Sequence, residues 1–220
     1  EVHEGSQVNI SGGTVTDHSR ARSGSVVNIS GGTVDGRLTV GDVYMSGGTV
    51  LALTVGDNSQ ANFDGGVVTG TVSASGTALV NIRGGVFGAL RLDRNAETNI
   101  SGGTFTGNGF YTIRESTLNI SGGNFSGFFE ADSGSDVNIS GGTLDDSFRS
   151  RRFSKVALSG GTLGQNYRAW PFGGGELELI GGEFRLNGVA TTEGDLALNP
   201  GDILTGTLTD GSTFAFSPGL

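Results

Sequence analysis

Eight charged and aromatic residues recur at regular intervals in the second half of the chain, where they could bind an anionic ligand. They are Tyr111, Arg114, Glu130, Asp132, Arg149, Arg151, Arg168 and Trp170. Guanidinium groups pair with carboxylates through two parallel hydrogen bonds, and aromatic rings stack on the faces of sugars. Gathered on one exposed strand face, such residues predict a binding site for an acidic polysaccharide or a cell-surface glycan.

The same residues also fit a purely structural arrangement. Glu130 would then pair with Arg149, and Asp132 with Arg151, as ion pairs between neighbouring strands. Arg149 and Arg168 are expected on adjacent strands about 4.8 Å apart. In that arrangement Glu130 neighbours only Arg149, and Arg168 has no acidic partner. The imbalance favours an anionic ligand, and both interpretations stay open.

Catalysis is the second class of function. Elimination from a uronate needs a group that neutralises its carboxylate, such as Ca²⁺ or arginine, and a base such as lysine or arginine. Lys155, the only lysine, lies near Arg149, Arg151 and Arg152 in the sequence, and the pair 145–146 (Asp-Asp) could hold a cation or serve hydrolysis.

The sequence assigns no catalytic residue and no metal ligand. It contains no G-x-S-x-G, P-loop or HExxH motif, and no calcium-binding nonapeptide repeat. No cofactor is therefore predicted, and Ca²⁺ stays open on chemical grounds alone.

These candidate residues lie on a repeat with ten copies. VNISGGTV occurs at 8–15 and 27–34, and close variants occur at 98–105, 118–125 and 137–144; looser copies fill the gaps. The first glycines of the ten copies are Gly12, Gly31, Gly47, Gly65, Gly84, Gly102, Gly122, Gly141, Gly160 and Gly181. Their spacing of 16 to 21 residues predicts a solenoid.

Each copy predicts three short strands. Val8 and Ile10 alternate with Asn9, which is the period of two that defines a half-buried strand. The Gly-Gly pair turns the corner into a second strand with Val15 inward, and a third strand follows six to nine residues later. The fold class expected is all-β: a right-handed parallel β-helix of about ten coils, each about 19 residues long.

The C-terminal segment, from about residue 187, no longer follows the repeat. Alternating strands flank Asp210-Gly211, a hairpin signal, so we expect a C-terminal capping β-hairpin. The chain is accordingly divided into a parallel β-helix at 1–186 and a capping segment at 187–220. No equivalent cap is expected at the N-terminal coil, which favours end-to-end self-association or a filament as a further alternative.

The repeats resemble right-handed parallel β-helix proteins of bacterial surfaces, such as filamentous haemagglutinin and other adhesins. The broad superfamily also includes pectate lyases and polygalacturonases. The resemblance covers about residues 5–186, and it implies architecture more than activity. It implies a secreted bacterial protein, extracellular or at the cell surface. The function expected is a non-catalytic module for adhesion, structural spacing or polysaccharide binding. The alternative is a polysaccharide lyase or glycoside hydrolase.

Charge and composition argue against several other classes of function. The net charge of −9 argues against nucleic acid as a partner. No apolar run approaches the roughly 20 residues that span a bilayer, so no membrane span is expected. An outward threonine column suggests ice binding, but four of its ten positions are other residues. The chain begins at Glu1 without a methionine or a signal peptide, which is typical of a mature fragment or of a piece of a longer protein.

Overall fold

All regular secondary structure that the structure describes is β-strand. The computed structural model describes residues 1–107, 110–113, 115–146, 148–164, 168–192 and 194–218, with only the backbone described at 110–113, 168–172, 216 and 218. Within these ranges it contains no helix long and apolar enough to cross a bilayer. The predicted all-β parallel solenoid is confirmed, and its right-handed sense stays a prediction.

The strands are short and follow the repeat. Their bounds in chain order are Gln7–Thr16 (β1), Ser19–Arg20 (β2), Val26–Val40 (β3), Asp42–Met45 (β4), Thr49–Val55 (β5), Gln60–Phe63 (β6), Val67–Ser75 (β7), Leu79–Ile82 (β8), Val86–Asp93 (β9), Glu97–Ile100 (β10), Thr104–Phe105 (β11), Phe110–Ile113 (β12), Thr117–Ile120 (β13), Asn124–Phe125 (β14), Phe129–Ala131 (β15), Asp136–Leu144 (β16), Phe148–Arg151 (β17), Lys155–Leu163 (β18), Arg168–Phe172 (β19), Glu176–Leu179 (β20), Gly181–Leu186 (β21), Val189–Ala190 (β22), Leu204–Leu208 (β23) and Thr213–Pro218 (β24).

Successive copies of the repeat stack in parallel and in register. Val8 of β1 pairs with Val27 of β3, and the pairing continues copy by copy until β18 pairs with β20. The solenoid makes about eight turns, whereas the ten copies predict about ten. The count falls because the end copies do not close full coils: β2 is two residues long, and after Leu179 the chain leaves the parallel stack.

The inward residues form one continuous core. Ile29, Val43 and Met45 are at most 1% exposed, as the alternation of apolar and polar positions predicts. Phenylalanines stack along the axis in the middle of the rod. The ring centroids of Phe87 and Phe105 are 5.1 Å apart, and those of Phe105 and Phe125 are 4.7 Å apart. Stacking of this kind adds to the hydrophobic gain that holds neighbouring coils together.

The Gly-Gly pair marks the corner between the first and second strands. The second glycine has a positive φ at each of the first nine copies, for example +93° at Gly142. The first glycine lies against the coil before it: a Cβ placed at Gly141 would be 2.4 Å from the carbonyl oxygen of Ser121. Gly12, in the first coil, has no such neighbour within 4 Å.

The outward asparagines form a hydrogen-bonded ladder. The side-chain Nδ2 of one residue donates to Oδ1 of the asparagine one coil earlier, at 2.8 to 3.3 Å. Tyr44 interrupts the ladder between Asn28 and Asn62. The asparagine column is therefore part of the scaffold.

The predicted C-terminal hairpin is present and closes the last coil. β23 and β24 are antiparallel, and β23 also pairs with β21. Asp210 in the hairpin turn accepts a hydrogen bond from the backbone N–H of Gly161 at 2.7 Å, which ties the turn to a Gly-Gly corner. Hydrogen bonds from Ser212, with that of Gly161, lower the pKa of Asp210. The division of the chain at 186/187 stays a prediction.

One inward polar group offers a test of the core assignment. Thr98 is fully buried between Val80 and Leu118, and its Oγ1 has no hydrogen-bond partner among the described residues. Replacing it with isosteric valine removes a buried unsatisfied hydroxyl, so Thr98→Val should raise the free energy of unfolding by about 1 kcal/mol. Urea unfolding measures the change. The exposed Thr162→Val is the control and should change little; destabilisation by Thr98→Val would contradict the assignment.

Candidate functional site

Glu130, Arg149 and Arg151 lie on the outward side of the third strands, here called the third-strand face. The backbone register of neighbouring third strands aligns Arg91, Tyr111, Glu130, Arg149 and Trp170. Alternate residues such as Leu92, Ala131 and Ser150 point inward and are buried. The pleat of β9, β15 and β17 thus exposes one charged residue for each buried one.

A single carboxylate joins two arginines at the centre of this face. Oε2 of Glu130 lies 3.3 Å from Nη1 of Arg149, and Oε1 of Glu130 lies 3.4 Å from Nη1 of Arg151. The side chain of Glu130 is only 13% exposed, whereas those of Arg149 and Arg151 are 39% and 29% exposed. The carboxylate therefore anchors two guanidinium groups whose outer edges reach solvent.

An aromatic ring supports one of these guanidinium groups. The Cζ atom of Arg149 lies 5.3 Å from the ring centroid of the half-buried Phe128. At this distance the negative face of the ring attracts the cation. Arg149 is thus oriented by Glu130 on the neighbouring strand and by Phe128.

The prediction that Arg149 and Arg168 lie directly opposite each other on adjacent strands is wrong. Arg149 pairs with Trp170, and the backbone of Arg168 pairs with Ser217 of the cap. The segment before β19 is longer than its equivalent one coil earlier. Ala169 follows Leu163 by six positions, whereas Phe148 follows Leu144 by four. The two extra residues shift Arg168 away from Arg149.

The predicted pair of Asp132 with Arg151 is also wrong. Arg151 binds Glu130, which therefore has two arginine neighbours and not one. Asp132 lies at the start of a turn, and its Oδ1 accepts a hydrogen bond from the backbone N–H of Ser133 at 2.8 Å. Among the described residues Arg152 forms an ion pair with it, with Nε 3.8 Å from Oδ1. The turn holds the carboxylate away from Arg151. The predicted Glu130–Arg149 pair is present.

Four of the eight candidates are described only in part or not at all. Arg114 lies outside the described residues. Only the backbone of Tyr111, Arg168 and Trp170 is described; it places Tyr111 beside Glu130, and Trp170 beside Arg149. The structure brings Glu130, Arg149 and Arg151 together, and Asp132 lies in the tight turn that follows β15.

Sequence reasoning named Arg152 only with the catalytic alternative, and it missed two residues at this face, Phe128 and Phe153. Phe153 is the more informative, because it stands where several other copies have glycine. The corners RSGS at 22–25 and DSGS at 132–135 align with RRFS at 151–154. Comparison of these corners would have found Phe153.

The residues proposed for catalysis lie on different elements: Asp145 follows β16, and Lys155 begins β18. Asp145 is exposed, and Lys155 forms a long, exposed ion pair with Glu176 at 3.8 Å. No group of three or more His, Cys, Asp or Glu side chains that could hold a metal ion occurs in the described part of the chain. Two shallow grooves lie beside the asparagine ladder, one lined by Tyr44 and Asp64 and the other by Arg83 and Asn99. Neither groove includes the arginines of the third-strand face.

No family model, no curated protein and no solved structure matches this chain. The fold alone therefore places it among parallel β-solenoids.

Because Glu130 is largely buried between two arginines, loss of its charge should lower the free energy of unfolding more than loss of an ordinary surface ion pair does. Glu130→Gln should lower the free energy of unfolding by about 1 to 3 kcal/mol, because two guanidinium groups lose a charged acceptor. Asp64→Asn breaks the Arg83 pair at 3.0 Å, where both side chains are more than half exposed, and should cost about 1 kcal/mol or less. Urea unfolding of both variants checks this, and equal losses would contradict a shared anchor.

Proposed function

We propose that the chain is a non-catalytic extracellular module that contacts an acidic polysaccharide through the third-strand face. The observation that carries the proposal is the anchored pair of Arg149 and Arg151 on Glu130. With Arg152 and Asp132 added, the cluster has three guanidinium groups and two carboxylates. It therefore holds an excess positive charge in a chain whose net charge is −9.

The form of the cluster suits a polyanion. Arg149 and Arg151 lie two positions apart on β17, so the alternation of the strand puts both side chains on the same face. Guanidinium groups bind carboxylates in a planar, two-point geometry. Because Glu130 and Phe128 already fix Arg149, little side-chain freedom is lost on binding.

The rod itself supports the adhesive or spacing part of the proposal. About eight turns at the strand separation give a rod of roughly 38 Å. A solenoid of this kind separates whatever is attached to its ends and displays one face along its length. These properties fit the filamentous adhesins that the repeats resemble. Secretion by a bacterium is part of the same proposal.

Polysaccharide binding predicts a specific effect of the two anchored arginines. The double variant R149Q/R151Q should bind oligogalacturonate or alginate at least tenfold more weakly than the wild type, because each charged hydrogen bond contributes about 1.5 to 3 kcal/mol. Added salt should weaken wild-type binding, since exposed charges are screened. Titration calorimetry on a purified chain measures both effects.

The matched control is R37Q/R83Q, which removes two positive charges from other coils. It should bind like the wild type. Equal binding by R149Q/R151Q, with an unchanged melting temperature, would contradict the proposal. New ultraviolet absorbance from unsaturated uronates during the titration would instead favour the lyase alternative.

A further inference from the structure

The corner after the third strand is a tight four-residue turn in several coils. The backbone N–H of its fourth residue donates to the carbonyl oxygen of its first, as in Ser25 to Arg22 at 3.0 Å and Ser154 to Arg151 at 3.0 Å. The third residue of the turn has a positive φ. It is +72° at Gly5, +77° at Gly24, +73° at Gly134 and +63° at Phe153.

Phe153 is the exception in this series. In the turn at 151–154 both central residues have a positive φ, +48° at Arg152 and +63° at Phe153, a geometry that favours asparagine and glycine. In a bulky residue the Cβ crowds the backbone, so the conformation costs free energy. Burial does not offset the cost, because Phe153 is 79% exposed. A strained and exposed aromatic residue is the kind of outlier from which a functional role is inferred.

The next corner leaves room for the ring. A Cβ placed at Gly174 would lie 2.9 Å from Cε1 and 3.0 Å from Cδ1 of Phe153. Any side chain at Gly174 would displace the ring. One part of the phenyl ring therefore rests on backbone, and the rest faces solvent.

Arg152 stands beside the ring in the same turn. Its side chain is 65% exposed, and its Nε is 3.8 Å from Oδ1 of Asp132, beyond hydrogen-bond distance. That oxygen is already bound to the backbone N–H of Ser133. No described residue accepts a hydrogen bond from the Arg152 guanidinium, and the next residue in the turn is the exposed Phe153.

We propose that Phe153 and Arg152 form a subsite for one uronate residue of an oligosaccharide. The phenyl ring stacks on the apolar face of the pyranose, and the Arg152 guanidinium pairs with its carboxylate. This inference rests on the proposed function, because the subsite lies in the tight turn directly after β17, the strand that carries Arg149 and Arg151. It adds an aromatic contact that the charges alone do not supply.

The test is titration of trigalacturonate into the full chain and its variants. Phe153→Gly should bind roughly three- to tenfold more weakly, because a ring contact is lost. Its melting temperature should stay unchanged or rise, since glycine accepts the positive φ without strain. Phe153→Tyr keeps the ring and should bind within about twofold of the wild type. Val189→Ala removes an exposed apolar side chain from the cap and serves as the control.

Arg152→Gln tests the second half of the subsite. It should weaken trigalacturonate binding by about tenfold and leave binding of neutral maltotriose unchanged. Two outcomes would overturn this inference and leave the proposed function intact. One is wild-type binding by Phe153→Gly. The other is a large fall in the melting temperature of Phe153→Gly, which would show that the ring contributes to packing. If the wild type binds no acidic glycan, the proposed function fails and this inference fails with it.

Discussion

Successive coils approach so closely at the Gly-Gly corners that no side chain fits between their backbones. At eight corners, a Cβ on the first glycine would lie 2.2 to 2.7 Å from a carbonyl oxygen of the coil before it. The second glycine takes a left-handed φ that other residues rarely adopt. This corner fixes where the first strand ends and the second begins in every coil. The asparagine ladder, the inward columns and the phenylalanine stack all depend on that register.

The third strand is less constrained, and the charged cluster lies there. Segments between the second and third strands differ in length from coil to coil, so sequence variation is tolerated without breaking the corner. Outward positions on this strand carry Glu130, Arg149 and Arg151. The turn that follows carries Arg152 and Phe153 in place of the usual small residues. A repeated scaffold with one irregular face is a common way for solenoids to present a binding surface.

The sequence predicts the parts of this structure that local chemistry determines. The alternation around Ile10 and Ile29 and the glycine pairs predict the solenoid, and the hairpin at Asp210 is equally local. The register of Arg168 could not be predicted, because the loop before it is two residues longer than its neighbour and no motif encodes that difference. The partner of Arg151 was missed because Asp132 is held by its own turn. Phe153 becomes visible only when the corners after the third strands are aligned with one another and not with the Gly-Gly repeat.

The close approach of the corners is tested most directly by one pair of variants. Gly141 and Gly12 both lie in the sequence VNISGGT, and neither has a positive φ. Gly141 contacts the coil before it, whereas Gly12 has nothing within 4 Å. Measured by urea unfolding, Gly141→Ala should lower the free energy of unfolding by about 3 kcal/mol, and Gly12→Ala should leave it nearly unchanged. Equal effects of the two substitutions would contradict the account.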